Sequence, residues 1–385
     1  MKKILKYILI YTALGIVITV SVLFFIDHYI EKINNSSSSD NQVANTEKED
    51  SIRKVTDVQI PTDAESVQYS YDNKYYTYLE DGKIYINNIE DGKNVYTISN
   101  ANPICYYSLL YDKNLILYFT KQNTSGSKVT KLKLMTYDIA SQNTRDDYNV
   151  MSITNFSKIK YLEFSPVINM IYVNVEIKSS ASKYTNTIYK IDLFKSMSTY
   201  TYGKVIEKMV MTKNKDRLYF ENNSSTLYYN KALLRIFKED VDLIGTDSDD
   251  NVYFINSSKD TVYRVYNNKV IDKITLTDRN VVDTYSNNES VYIIYSNYVI
   301  NLNQNDKDSE DSKEKNTSLN NDTTTNTIQN NNTVANDTTT DTNDDEAEFK
   351  KLGVIDANDK FDAIKNNIMY LRTSDNKLVI EDLSK

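Results

Sequence analysis

Tryptophan is absent from the 385 residues, and histidine and cysteine occur once each, as His28 and Cys105. Each scarcity removes a class of chemistry. A Ser-His-Asp or Cys-His triad needs an imidazole beside its nucleophile, and His28 follows an apolar run near the N-terminus. No such triad, and no His-rich zinc or iron site, can form in the rest of the chain. A lone cysteine permits no intramolecular disulfide; set in the apolar run ICYY, Cys105 reads as a buried, inert thiol. Seven glycines and three prolines leave little for glycine-dependent backbone chemistry. The net charge of -8 comes from acids interspersed with Lys and Arg, so no basic stripe tracks phosphates and nucleic acid is excluded as a partner. Nothing that remains calls for a cofactor.

Tyrosine is what the chain has in quantity, 33 residues within a hydrophobic content of 40%, a composition that favours strands around a sizeable core. Residues 7–26, YILIYTALGIVITVSVLFFI, form an uncharged stretch of 20 residues, the length of a transmembrane helix across about 30 Å of hydrocarbon. The run is too long for the apolar part of a signal peptide and no small-x-small site or lipobox Cys follows it, so it reads as an uncleaved anchor. Lys2, Lys3 and Lys6 precede it and Asp27 follows, which puts residues 1–6 in the cytoplasm and the bulk of the chain outside the cell membrane. Residues 27–53, with NNSSSSD at 34–40, read as a flexible linker spanning about 25 Å.

From residue 54 onwards one unit recurs. In its clearest copy, Val241 to Leu276, four short β-patterned runs are separated by three polar turns. The second strand of each unit is the easiest marker, an apolar or aromatic run introduced by an Asn/Asp/Lys/Ser turn. Seven markers occur, ending at Leu79, Phe119, Val175, Phe220, Ile255, Tyr295 and Leu371, with the spacing of four-stranded propeller blades. ICYYSLL at 104–110 and IKYLEFS at 159–165 supply first strands, GKIYIN at 82–87 a third, and NVYTIS at 94–99, ALLRIF at 232–237 and KVIDKITL at 269–276 fourth strands. The seventh unit stops after its third strand, KLVIED, while KVTDVQI at 54–60 has no unit of its own. Pairing the two closes a ring and removes both free sheet edges. The Asn/Asp/Thr-rich segment 303–348 cannot bury enough surface to fold. It reads as a disordered loop between the third and fourth strands of the sixth unit, with FKKLGVID at 349–356 as the delayed fourth strand.

The predicted fold is therefore all-β, a seven-bladed β-propeller over 54–385 behind a single transmembrane helix. In its meander and periodicity the chain resembles the seven-bladed propellers of the WD40-like and YncE-like kind. It carries none of the blade signatures of WD40, quinoprotein, kelch or sialidase propellers, so the resemblance assigns no catalytic, cofactor or metal residue. Asp247, Asp249 and Asn251 alternate as in a calcium loop, but Val252 stands where that loop requires Gly and no Glu closes it. Like polar turns in other units make it a hairpin turn. Paired carboxylates are the one catalytic apparatus left, with Glu163, Glu221, Glu176, Glu207 and Asp283 in or beside strands. The leading expectation is a non-catalytic binding or scaffolding module at the cell envelope, its partner a protein or a cell-wall glycan. The alternative is a carbohydrate-active envelope enzyme; a third reading is an accessory subunit contacting a membrane complex through its helix.

Overall fold

The computed structural model describes residues 53–145, 150–192, 196–303, 349 and 351–384. The expectations for the cytoplasmic residues 1–6, the helix at 7–26, the linker (apart from Arg53) and the insertion (apart from Asn303) lie outside the described residues. Among the described residues no helix is long and apolar enough to cross a membrane.

Seven antiparallel sheets make up the described chain, six of four strands and one of five. The first strand of each blade is Glu65–Tyr69, Ile104–Leu109, Phe156–Ser165, Ile206–Met211, Val241–Thr246, Asp283–Ser286 and Lys360–Lys365, in order from blade one to blade seven. These first strands neighbour one another around the ring and enclose the central channel. All seven markers are second strands, and two of them, Val252–Asn256 and Val291–Ile294, are buried at every position. Both faces are covered because each blade is sandwiched between two others, so alternation gives way to continuous burial. Seven apolar clusters fill the seven seams between blades.

The ring closes as the strand pattern demands. Arg53–Gln59 pairs antiparallel with Lys377–Asp382, Val55 opposite Val379, and Thr56 Oγ1 donates to the Leu378 carbonyl at 2.8 Å. The delayed strand of blade six is also there, although only as Lys351–Leu352 against Val299–Asn301.

Two blades depart from expectation. Blade two has a fifth strand, since both Asn143–Arg145 and Val150–Thr154 pair with Val129–Asp138. In blade four the fourth strand is Ala232–Leu233 alone; Leu234 N–H still donates to the Leu227 carbonyl at 2.9 Å, after which Ile236 and Phe237 leave the sheet to pack into the seam with blade five. The scarcity of glycine is met by asparagine. Among the described residues sixteen non-glycine residues have positive φ, ten of them Asn, the residue whose short polar side chain best tolerates that region.

Candidate functional site

The first strand of a blade bonds to the second along one edge, and its other edge has no strand beside it. The N–H and C=O groups of that edge must find other partners, and they find side chains of neighbouring blades. Gln68 of blade one accepts Leu109 N–H at 2.7 Å and donates to the Tyr107 carbonyl at 3.2 Å. Glu163 Oε2 of blade three accepts Met211 N–H at 3.3 Å, and Glu221 Oε2 of blade four accepts Leu243 N–H at 2.9 Å. Ser286 Oγ accepts Thr246 N–H and donates to the Thr246 carbonyl. Gly245 allows that last contact, because a Cβ there would lie 2.2 Å from the Ser286 Cβ. Polar residues around the channel are thus required first by the backbone.

Within the channel a cavity of about 290 Å³ is lined from five blades, by Gln68, Tyr69, Tyr111, Glu163, Tyr285, Asn287, Asn288, Asp362 and Lys365 among others. Its two carboxylates differ in what they can do. Asp362 is 4% exposed at its side chain and fully engaged: Arg372 Nε and Nη2 reach Oδ1 at 3.0 and 2.8 Å, and Tyr69 donates to Oδ2 at 2.8 Å. The Tyr69 ring stacks on Tyr370 at 3.9 Å, so this group pins blade seven to blade one. Glu163 spends one oxygen on Met211. Half-buried and facing the cavity, it is desolvated enough that its carboxyl is pushed up to about 8.

Further along the channel lies Lys208. Its amine donates to Thr284 Oγ1 at 3.4 Å; Lys208 belongs to blade four and Thr284 to blade six, so the side chain crosses in front of blade five, inside the channel. Burial holds the amine below its ordinary value against the pull of Asp283, Glu221, Asp242 and Glu163. Burial likewise pushes the Glu221 carboxyl up to about 7.

Three of the five carboxylates singled out in the sequence, Glu163, Glu221 and Asp283, therefore converge on one lysine. The other two do not join them. Glu176 accepts a hydrogen bond from Ser157 Oγ in an exposed position, and Glu207, also exposed, receives the Tyr161 hydroxyl on its backbone carbonyl. Lys208, Lys365, Tyr111 and Asp362 escaped sequence reasoning; their shared signal is a place in a first strand or in the residues just after it. Cys105 is free and half-buried, its thiol pushed up to about 11 by burial.

The Asp-rich turn of blade five is a hairpin turn whose buried Asp247 has no capacity left for a cation. Oδ1 accepts the N–H groups of Asp249 and Asn251 at 3.0 and 2.9 Å. Oδ2 accepts Asn251 Nδ2, the Tyr253 hydroxyl and Asn303 Nδ2 at 2.8, 2.9 and 3.0 Å. Among the described residues no group of three or more His, Cys, Asp or Glu is arranged to hold a metal ion.

No family model matches the chain, and no curated protein matches it. Among solved structures it is similar to virginiamycin B lyase from Staphylococcus aureus, with a TM-score of 0.47 at 9% identity over 86% of this chain and 99% of that one. The luciferin-regenerating enzyme gives 0.36 at 8% identity over 61% and 84%, and a putative gluconolactonase 0.35 at 6% over 63% and 88%. These likenesses concern fold alone; the propeller assignment rests on the strand pairings above.

Proposed function

We propose that the chain is a membrane-anchored, extracytoplasmic β-propeller acting as a non-catalytic binding module at the cell envelope, with the central channel and its mouth as the binding site. One observation carries the reading. Of the two carboxylates that line the cavity, Asp362 has both oxygens committed to Arg372 and Tyr69, which leaves Glu163 without a reactive partner there. Hydrolysis of a glycosidic bond needs two available carboxyls about 5 to 10 Å apart. What remains in the cavity is tyrosine, amides, serines, the single lysine Lys365 and apolar side chains, a mix of apolar wall and a few polar groups usual in a ligand pocket. The anchor at 7–26, with Lys2, Lys3 and Lys6 before it and Asp27 after it, supports the outward orientation.

A glycan hydrolase is the second reading, favoured by the convergence of Glu163, Glu221 and Asp283 on Lys208 and by a Glu163 carboxyl raised as a general acid requires. One experiment divides the two. The full chain and residues 54–385 are each used to capture partners from envelope extracts and are incubated with purified cell-wall glycan. A binding module retains a protein or the glycan without releasing reducing ends. Release of reducing ends that is abolished in Glu163→Gln refutes the binding reading. Retention by the full chain alone moves the contact to the helix.

A further inference from the structure

We infer that the paired hairpins of blades two and three form a basic docking surface for a flexible phosphodiester polymer that carries no bases, a polyol phosphate. The surface lies outside the central channel, and its test is independent of what the channel binds.

In chain order the lysines are interspersed with acids, but the fold sorts them. The hairpins joining second and third strands in these two blades, with the crossover between them, comprise residues 120–133, 154–160 and 176–186. They hold eight lysines, no arginine and one acid, Glu176, in a chain of net charge -8. Their second strands, Leu115–Asn123 and Met170–Lys178, have nine residues each, against four to six in the other five blades. Three further residues carry each turn about 10 Å further along its blade.

The two hairpins are joined to one another. Val150–Thr154, the outer strand of blade two, passes into the first strand of blade three through Asn155 alone, whose φ of 56° permits the reversal. Asn155 N–H donates to the Lys128 carbonyl at 2.8 Å, and its own carbonyl accepts Lys178 N–H at 2.9 Å. Leu132, Met151, Ile153, Ile159 and Val175 pack together between the two sheets, with Ile177 against them. Because Leu132 and Ile177 face that interior, strand alternation turns their neighbours Lys131 and Lys178 outward, while Lys128 and Lys183 stand at the turns. Positive charge therefore coats both outer faces and the tips of one wedge. Lys128, Lys131, Lys178 and Lys183 are exposed, and none is in an ion pair with a described residue. Nearer the ring, Lys121 and Lys158 share a cavity of about 610 Å³ with Asp63, Glu65, Glu80 and Asp81 of blade one, which offset them. Glu176 takes the Ser157 hydroxyl at 3.0 Å.

Shape and chemistry together select the partner. Ammonium groups are compact point charges that suit phosphate oxygens. Ser125, Ser180 and Ser182 place exposed hydroxyls among them, and hydroxyls are the other common phosphate donors. A flat bilayer or a rigid duplex touches only the tips, whereas a flexible chain follows the charges over both faces. Single-stranded nucleic acid is held by stacking on aromatic side chains, and Tyr184 is the one exposed ring among the described residues of these hairpins.

A fluorescent glycerol-phosphate oligomer is titrated at pH 7 into the full chain in non-ionic detergent and followed by anisotropy. Poly-glutamate, oligothymidylate, duplex DNA and dihexanoyl phosphatidylglycerol compete at matched charge. The oligomer is expected to bind at least about tenfold tighter than each competitor. With four lysines neutralised at a slope of about 0.7 per charge, it is expected to lose about fiftyfold in affinity between about 50 and 200 mM salt. Replacing Lys128, Lys131, Lys178 and Lys183 together by Gln is expected to remove most of that affinity and flatten the salt dependence. The same change at the exposed Lys74, Lys238, Lys269 and Lys360 is expected to alter affinity by less than about threefold. A competitor as tight as the oligomer, binding indifferent to salt, an equal loss in the second variant, or no binding at millimolar phosphate each overturns the proposal. Should the first variant not fold, Lys128→Gln with Lys183→Gln, both at turns, and the salt slope decide.

Discussion

Replacing Glu221 by Gln tests whether the carboxyls at the channel seams are held against their own desolvation. Glu221 is 5% exposed, and burial raises its carboxyl from the ordinary 4.5 to about 7, with the neighbouring Asp242 and Glu207 adding to the rise and Lys208 opposing it. The folded state therefore holds this proton more tightly than the unfolded chain does. Its contribution to stability is fully present below about pH 4.5 and is lost as pH rises through about 7. At about 1.4 kcal/mol per pH unit the interval caps the loss at about 3 kcal/mol, and water entering from the channel side near Lys208 reduces it to about 2 kcal/mol. A Gln side chain still accepts the Leu243 N–H but does not titrate. Urea unfolding of both proteins at pH 4.5, 6, 7 and 8 reads the effect. The variant is expected to equal or fall below the parent by about 1 kcal/mol at the lowest pH, where its extra amide protons lack an acceptor, and to gain about 2 kcal/mol on the parent by pH 8. In a Lys208→Met background the same transition moves to higher pH, since the cation that favours the carboxylate is gone. A stability difference that stays constant to within about 0.5 kcal/mol across the range refutes the reasoning.

Gly245→Ala drives a Cβ into Ser286 at the seam of blades five and six and is expected to cost about 2 kcal/mol, read as a lower urea midpoint with an unchanged slope. Asp247→Ala strands the Asn251, Tyr253 and Asn303 donors and is expected to cost about 3 kcal/mol or more, while calcium or a chelator leaves the melting temperature of the parent unmoved. Cys105, its thiol pushed up to about 11 by burial, is expected to react with iodoacetamide at pH 8 about a hundredfold more slowly than a free cysteine, and denaturation is expected to abolish the difference.

The ring was legible because its evidence is local. Each second strand announces itself by an Asn/Asp turn followed by four or more apolar residues, and both faces of that strand are buried, so the pattern survives without alignment. Closure followed from counting strands, since a unit short by one and a strand without a unit have a single solution. What escaped the reading was set by tertiary partners. Asn143–Arg145 is polar and exposed throughout and joins a sheet only because Val129–Asp138 is long enough to accept it. ALLRIF has the alternation of a strand, yet Ile236 and Phe237 are worth more in the seam than in the sheet. The site was half legible for a like reason. A glutamate in an apolar strand stands out, which brought Glu163 and Glu221 forward, whereas lysines such as Lys208 and Lys365 read as the solvated positions of an alternating strand. Their surroundings come from blades far apart in the chain.

The channel wall has two kinds of polar residue, and separating them decides which are open to function. A ring of blades leaves seven first strands with one unpaired edge each, so side chains such as Gln68, Glu163, Glu221 and Ser286 are held in place by the backbone whatever the protein binds. Removing one of them lowers stability, and any loss of binding that follows is indirect. Lys365 and Tyr111 satisfy no backbone group among the described residues, so the fold does not require them, and the unpartnered buried hydroxyl of Tyr111 and the desolvated amine of Lys365 count against stability. Truncating them is accordingly expected to leave the urea midpoint unchanged or raised while binding at the channel is lost. That opposition between stability and binding separates a ligand contact from a seam contact, and a fall in stability at Lys365→Met or Tyr111→Phe as large as that at the seam residues would place both among the structural set.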